Sequence, residues 1–353
     1  MPYKVLVVDD SNFFQNRLKE IINEHPELEV VGIAANGREA IDKADSLKPD
    51  LITMDYEMPV LNGVVAVKEI MAKRPVPILM FSSMTFEGAR ITLDALAAGA
   101  VDFITKDFGE VSRNSAGLKK RLHQRLLDIV KNQRVSRSIQ APKNDSSPSE
   151  VKSPPRAAVA SNLRNKVDIV VIGASTGGPV AVTDVLTKLP SNFPVPIIVV
   201  QHMPENFTKA FAERLDKQCQ VSVKEAEDGD RLSPGAVLLA PGGKQLMIDA
   251  QQRGSVKVLP GDERVNYRPS VDITFGSAAN SSGAKTLAII LTGMGADGCE
   301  GARLLKGKGA TVWSQDEASC IIYGMPMAVA KANLTDSVIS LSEIGPKLAQ
   351  AFR

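Results

Sequence analysis

The sequence predicts an α/β protein of two doubly wound parallel-sheet domains joined by a flexible linker. Three observations carry this expectation. Short β-branched apolar runs alternate with amphipathic stretches in both halves of the chain. A Ser-, Pro- and Ala-rich segment without aromatic residues separates the halves. At 353 residues the chain exceeds what one core usually holds. The expected boundaries are a first domain over 1–130, a linker over 131–166 and a second domain over 167–353.

In the first half, KVLVV, EVVGI, DLITM, PILMF and VDFIT read as strands. Residues 12–24, 37–47, 63–73 and 87–98 read as helices between them. A last helix fits 111–130, with Leu118, Leu122, Leu126, Ile129 and Val130 on one side. Ligands of such a sheet sit outside the carboxyl ends of its strands. Asp9 and Asp10 follow the first strand, Asp55 the third, Ser82 the fourth and Lys106 the fifth. Three carboxylates at one sheet edge repel one another unless a cation sits among them. Oxygen ligands of this kind suit Mg²⁺, which keeps several waters and accepts phosphate oxygens. The lysine and the serine hydroxyl could then hold the remaining oxygens of a phosphoryl group. Any one of these residues alone is most simply a solvated loop residue, but five in register with the βα repeat argue for a site.

The stretches VVDDS, DLITMDYEMPVLNG, ILMFSS and DFITK resemble a response-regulator receiver domain, a flavodoxin-like fold, over almost all of residues 3–130. The resemblance implies that Asp55 accepts a phosphoryl group from a histidine kinase. It implies that Asp10, Asp55 and the backbone carbonyl of Glu57 bind Mg²⁺, with Asp9 acting through water. It also implies that Ser82 and Lys106 contact the phosphoryl oxygens. One position departs from the family pattern: Asp107 stands where a proline usually follows the lysine.

The segment VSRSIQAPKNDSSPSEVKSPPRAAVASNLRNK is polar and net basic. It cannot bury enough apolar surface to offset its ordering entropy. Pro142, Pro148, Pro154 and Pro155 favour extended chain. A solvated tether is the expected role, rather than a nucleic-acid arm.

The second half opens on VDIVVIG, a continuous apolar run suited to a strand buried on both faces. GASTGG turns the chain, and PVAVTDVLTKL reads as a helix with Pro179 near its start. Ser175 therefore sits on a strand–turn–helix junction in a G-x-S-x-G pattern, as nucleophilic serines do. A serine needs a base to take its proton. His25 and His123 fall at helix positions expected to be exposed. His202 instead follows the strand PIIVVQ, and Asp297 lies in GMGADG after the strand TLAIILT. In a parallel sheet these three loops share one edge, so Ser175, His202 and Asp297 can converge as a Ser-His-Asp triad. The chain order excludes the α/β-hydrolase pattern. No histidine follows Asp297, and the one acid between Ser175 and His202 is Asp184, inside the expected helix. A phosphate-binding loop is disfavoured, because GASTGGP lacks the Walker lysine and does not fit GxGxxG.

The motifs GASTGG, QHMPENFT, LLAPGGKQLMI, RPSVDITFGSAA, LTGMGADG and QDEASCIIYGMP resemble the catalytic domain of the CheB-type protein-glutamate methylesterases of bacterial chemotaxis. The likeness spans roughly 167–335 and implies a Rossmann-like sheet with added β-hairpin elements. It implies hydrolysis of glutamate γ-methyl esters on methyl-accepting chemotaxis receptors, with release of methanol, and deamidation of selected glutamines. It further implies that the Met294 N–H helps form an oxyanion hole, with Thr176 as a supporting residue. The phosphodonor to Asp55 would be the chemotaxis histidine kinase. The receiver would cover the esterase edge until it is phosphorylated.

The formal net charge of +2 offers no field for nucleic acid. No segment approaches the roughly 20 apolar residues that span a bilayer, so no membrane insertion is expected. Cys219, Cys299 and Cys320 lack CxxC spacing, which fits a reducing cytoplasm, and no metal is expected in the esterase half. Cys299 and Cys320 are expected to be packed rather than reactive. Two other readings remain. A DNA-binding output lacks a helix-turn-helix pattern. A catalytically inactive receiver-linked interaction module is the alternative to the enzyme.

Overall fold

The computed structural model describes residues 1–106, 116–140, 163–252, 254–262 and 264–353. Asp107, the first residues of the helix expected from 111, and residues 141–162 of the expected linker lie outside them. The chain forms two compact units, Met1–Arg137 and Ser138–Arg353.

The first unit runs β1 (Tyr3–Val8), α1 (Asn12–Asn23), β2 (Leu28–Ala34), α2 (Gly37–Leu47), β3 (Leu51–Asp55), α3 (Gly63–Lys73), β4 (Ile78–Ser82), α4 (Phe86–Ala97), β5 (Asp102–Thr105) and α5 (Ala116–Gln140). Its five strands are parallel in the order β2-β1-β3-β4-β5. The three central strands are buried on both faces, which is why they read as unbroken apolar runs. Side-chain caps start the helices that leave the carboxyl edge: Asn62 accepts from the Val65 N–H and Thr85 from the Gly88 N–H. The apolar side of α5 is buried as expected, from Leu118 to Val130. The helix does not stop at 130 but continues to Gln140. Residues 131–140 contain no proline or glycine, and the first breaker is Pro142. His25 and His123 are half-buried rather than exposed, because their rings pack edge to face 5.2 Å apart.

The second unit holds β6 (Ile169–Ala174), α6 (Gly178–Leu186), β7 (Ile197–Gln201), α7 (Phe207–Gln218), β8 (Ser222–Glu225), β9 (Ala236–Leu239), β10 (Lys244–Ile248), β11 (Val256–Pro260), α8 (Val271–Ser281), β12 (Thr286–Ile290), α9 (Cys299–Gly307), β13 (Thr311–Gln315), α10 (Met325–Lys331), β14 (Ser337–Ile339) and α11 (Leu341–Ala351). Seven parallel strands run in the order β14-β13-β12-β6-β7-β9-β8. The chain winds outward from β6 through β7, then returns to the other flank of β6 with β12. The β6/β12 junction is thus the topological switch point, where such sheets bind ligands. The antiparallel hairpin β10–β11 stands outside this sheet and packs into the core through Leu246, Ile248 and Val256. The expected linker also ends early at this side. Leu163 is buried, and its N–H donates to the Ala351 carbonyl in α11. Among the described residues no helix is long and apolar enough to cross a membrane.

Candidate active site

The Ser175 turn is built by the backbone. The Ser175 N–H donates to the Thr292 carbonyl at 3.0 Å, which ties β6's exit to β12's exit. The Ser175 carbonyl accepts from the Gly178 N–H at 2.8 Å and from Gln201 Nε2 at 2.9 Å. Gly177 holds a φ of +77°, open to glycine at little cost. A Cβ on Gly178 would lie 2.0 Å from Gln201 Oε1, so only glycine lets this strand and turn approach. These glycines let the turn pack closely against β7 and the residues after β12.

His202 follows β7, next to β6 in the sheet, and its N–H donates to the Ala174 carbonyl at 3.1 Å. Its Nε2 lies 2.7 Å from Asp297 Oδ2. Among the described residues nothing hydrogen-bonds its Nδ1, which is buried. The structure therefore joins His202 and Asp297 directly. It brings Ser175 to the same edge without a hydrogen bond between its hydroxyl and the imidazole. Such bonds are often long before substrate arrives and tighten afterwards.

Asp297 is buried and fully engaged. Oδ2 accepts from His202 Nε2 and from the Val271 N–H at 2.7 Å. Oδ1 accepts from Ser270 Oγ and the Asp272 N–H, each at 3.0 Å. These N–H groups open α8, so the acid sits on the positive end of a helix. Burial alone would push its carboxyl up. The hydrogen bond and charge of His202, with the N–H groups of Asp272 and Val271, outweigh burial and hold it below the usual carboxylate range. An ionised carboxylate only accepts, so Nε2 supplies the proton of this bond and Nδ1 is the nitrogen left without a hydrogen-bond partner among the described residues.

Asp272 was not singled out from the sequence. Its Oδ1 accepts from the N–H groups of Gly298 and Gly301, at 2.9 and 2.7 Å, at the start of α9. Burial, with the charge of Asp297 beside it, pushes its carboxyl up to about 6. Ser270, Gln245 and Tyr267 were also missed. Gln245 in β10 donates to the Tyr267 carbonyl and accepts from the Ser270 N–H. Tyr267 stacks on the His202 ring. The motif RPSVD was visible, but its role depends on contacts made across the fold.

Met294 is half-buried two residues beyond Thr292, and Thr176 is buried beside Ser175. Thr292 Oγ1 donates to the Thr176 carbonyl at 3.0 Å, joining the two loops. The segment before α10 braces this edge: the Gly293 carbonyl accepts from the N–H groups of Gly324 and Met325. Cys320 is buried, Cys299 is half-buried, and burial pushes both thiols up, as expected of packed cysteines.

In the first unit, ligand oxygens of Asp9, Asp10 and Asp55 lie within 4.8 Å of one another. Lys106 Nζ reaches Asp9 Oδ2 and Asp55 Oδ2, each at 2.7 Å, and lies 4.6 Å from the centroid of the Phe14 ring. Burial pushes the Asp55 carboxyl up to about 6; Lys106 opposes this and Asp9 reinforces it. The Glu57 N–H also hydrogen-bonds Asp55. One lysine among three carboxylates leaves negative charge uncompensated, and this donor set fits Mg²⁺. Ser82 ends β4 fully buried, its hydroxyl accepting from Thr92 Oγ1 at 2.6 Å.

The family profile described as CheB methylesterase matches residues 170–348, and that described as response regulator receiver domain matches residues 5–113. The chain is 60% identical over 363 residues to a protein-glutamate methylesterase/protein-glutamine glutaminase of Saccharophagus degradans, covering 99% of each. It is 55% identical over 370 residues to one of Pseudomonas aeruginosa, covering 99% of this chain and all of that one. The crystal structure of the Thermotoga maritima CheB methylesterase catalytic domain superposes with a TM-score of 0.50 at 46% identity, over 52% of this chain and 98% of that one.

Proposed function

Because the chain belongs to the CheB methylesterase family, with a response regulator receiver domain ahead of the esterase, we propose how its own residues carry out that family's reaction. The protein is a phosphorylation-regulated protein-glutamate methylesterase and protein-glutamine glutaminase of chemotaxis adaptation. Its substrates are chemoreceptors, and its receiver takes phosphate from a histidine kinase. We assign these finer roles to methyl-accepting chemotaxis receptors and the chemotaxis kinase. The inactive interaction module is not favoured.

In the proposed mechanism Ser175 Oγ attacks the γ-ester carbonyl while His202 takes the hydroxyl proton at Nδ1. Asp297 stabilises the resulting imidazolium through Nε2–H. The Met294 N–H, with Thr176 in support, receives the oxyanion, a role worth about 3–4 kcal/mol in comparable sites. Nδ1–H then protonates the departing methoxide, which leaves as methanol. Water, deprotonated by His202, cleaves the glutamyl-serine ester and restores Ser175. A glutamine side chain follows the same course, with ammonia as leaving group. The observation that carries this reading is the buried, unpartnered Nδ1 of an imidazole whose other nitrogen is committed to an ionised carboxylate.

At the receiver, Asp10, Asp55 and the Glu57 carbonyl would hold Mg²⁺, with Asp9 acting through water. When bound, the ion neutralises charge on the phosphoryl oxygens. Asp55 is the proposed phosphoacceptor, and Lys106 and Ser82 would meet the transferred group. The test is methanol release from methylated receptors, with and without a small phosphodonor, for wild type and Ser175→Ala. Equal rates for the two proteins would overturn the assignment of Ser175.

A further inference from the structure

The triad as described lacks anything that fixes the plane of the His202 ring. Its Nε2–Asp297 hydrogen bond defines one direction, but the imidazole could still turn about its Cβ–Cγ bond. A half turn would carry Nδ1 and Nε2 away from their stations and present carbon in their place. The ring of Tyr267 lies 4.2 Å from the His202 ring, centroid to centroid, with 8° between their planes. In that stack the imidazole cannot rotate without driving an edge into the tyrosine face. The attraction between stacked rings adds to the steric limit.

Tyr267 is itself held from below. Gln245 is buried on β10, and its carboxamide is used at both ends. Nε2 donates to the Tyr267 carbonyl at 2.7 Å, and Oε1 accepts from the Ser270 N–H at 2.8 Å. Ser270 Oγ in turn donates to Asp297 Oδ1. One amide from the hairpin therefore sets the position of the stacking ring and of the acid's support. The hairpin has no place in the parallel sheet, and the chemistry above makes no use of it. Gln245 is the hairpin residue whose side chain reaches both Tyr267 and Ser270.

We propose that Tyr267 is a positioning residue, clamped by Gln245, that holds the His202 imidazole with Nε2 on Asp297 and Nδ1 free to serve Ser175. The inference rests on the triad reading above. The stack is made by the ring face, which phenylalanine keeps and an aliphatic side chain removes.

The experiment compares full-length wild type, Tyr267→Phe and Tyr267→Leu for methanol release and for the ¹H–¹⁵N spectrum of the imidazoles. With three histidines in the chain, His202 is assigned by His202→Gln. Tyr267→Phe is expected to keep kcat within about twofold, whereas Tyr267→Leu loses about 10- to 100-fold in kcat with little change in KM. In Tyr267→Leu the His202 signal should change from a single Nε2–H tautomer to a mixture containing Nδ1–H. If the leucine variant does not fold, Tyr267→Met is read in the same way. Wild-type kcat in the aliphatic variant, or lost activity with an unchanged His202 spectrum, overturns the proposal. The spectrum requires no turnover, so failure of the clamp is distinguishable from failure of the Ser175 assignment.

Discussion

Asp272 and Asp297 cap each other's helices. Asp297 accepts the N–H groups of Val271 and Asp272 that open α8, and Asp272 accepts those of Gly298 and Gly301 around the start of α9. The two carboxylates lie close enough for the charge of one to raise the other. Stability and catalytic geometry are therefore joined at one point.

The raised carboxyl of Asp272 sets a pH dependence. A group whose folded pKa exceeds its unfolded value stabilises the fold at low pH, and that contribution is lost as pH rises through the folded value. Here the window runs from the ordinary carboxylate range to about 6. Asp272→Asn keeps the accepting oxygen and sheds the charge. It should gain about 1 kcal/mol over wild type at about pH 8 and nothing at about pH 4, after allowance for partial exposure. Asp272→Ala also sheds the charge but leaves two N–H groups without an acceptor, so it should lose about 1–2 kcal/mol at about pH 4 and about 1 kcal/mol less than that at about pH 8. Urea melts at the two pH values decide this.

Removing Asp297 tests two functions separately. Asp297→Asn retains an accepting oxygen but no charge to fix the His202 tautomer, so kcat should fall by about 10³- to 10⁴-fold with a near-normal melting temperature. Asp297→Ala should lose as much activity and about 1–3 kcal/mol of stability as well, because the α8 N–H groups stay buried without an acceptor. Equal melting temperatures for the two variants would contradict the capping role.

Gly293 packs directly against the nucleophile. A Cβ there would lie 2.4 Å from Met325 Sδ and 2.8 Å from Ser175 Cβ. Gly293→Ala should cost about 1–3 kcal/mol and about 10²-fold in kcat, by displacing Ser175. The same variant should bind a covalent serine reagent slowly, which mass spectrometry reads directly.

At the receiver, Asp55 shares the raised-carboxylate sign. Its folded value of about 6 means that metal-free protein loses stability as pH rises through that value. Asp55→Asn should therefore raise the first unit's melting temperature at about pH 8 and have little effect at about pH 4. Adding Mg²⁺ should stabilise wild type near neutrality and leave Asp55→Asn largely unmoved. A phosphodonor should accelerate methanol release by wild type alone. Calorimetry with and without Mg²⁺, beside the release assay, checks all three.

Both sheets were legible because strands buried on two faces read as continuous apolar runs, and because glycine-rich turns mark their exits. Ser175, His202 and Asp297 stood out as polar residues at three such exits; the structure sets them along one sheet edge and joins His202 to Asp297. What holds them was not legible. Gln245 is a polar residue in a hairpin, with no local mark of burial, and Tyr267 and Asp272 act through neighbours distant in sequence. Ser270 caps α8 through the Ile273 N–H, but nothing local in the sequence shows that this helix start faces Asp297. The length of α5 was misread because a polar, basic run looked like tether while containing no helix breaker.

The placement of β6 between β7 and β12 has a consequence during synthesis. Thr292 and Thr176 meet across 116 residues of chain. Until the ribosome has made β12, the fully buried strand β6 has one unpaired edge, a template for pairing with other chains. Pairing of β12 covers that edge, and the same segment of chain brings Asp297 to His202.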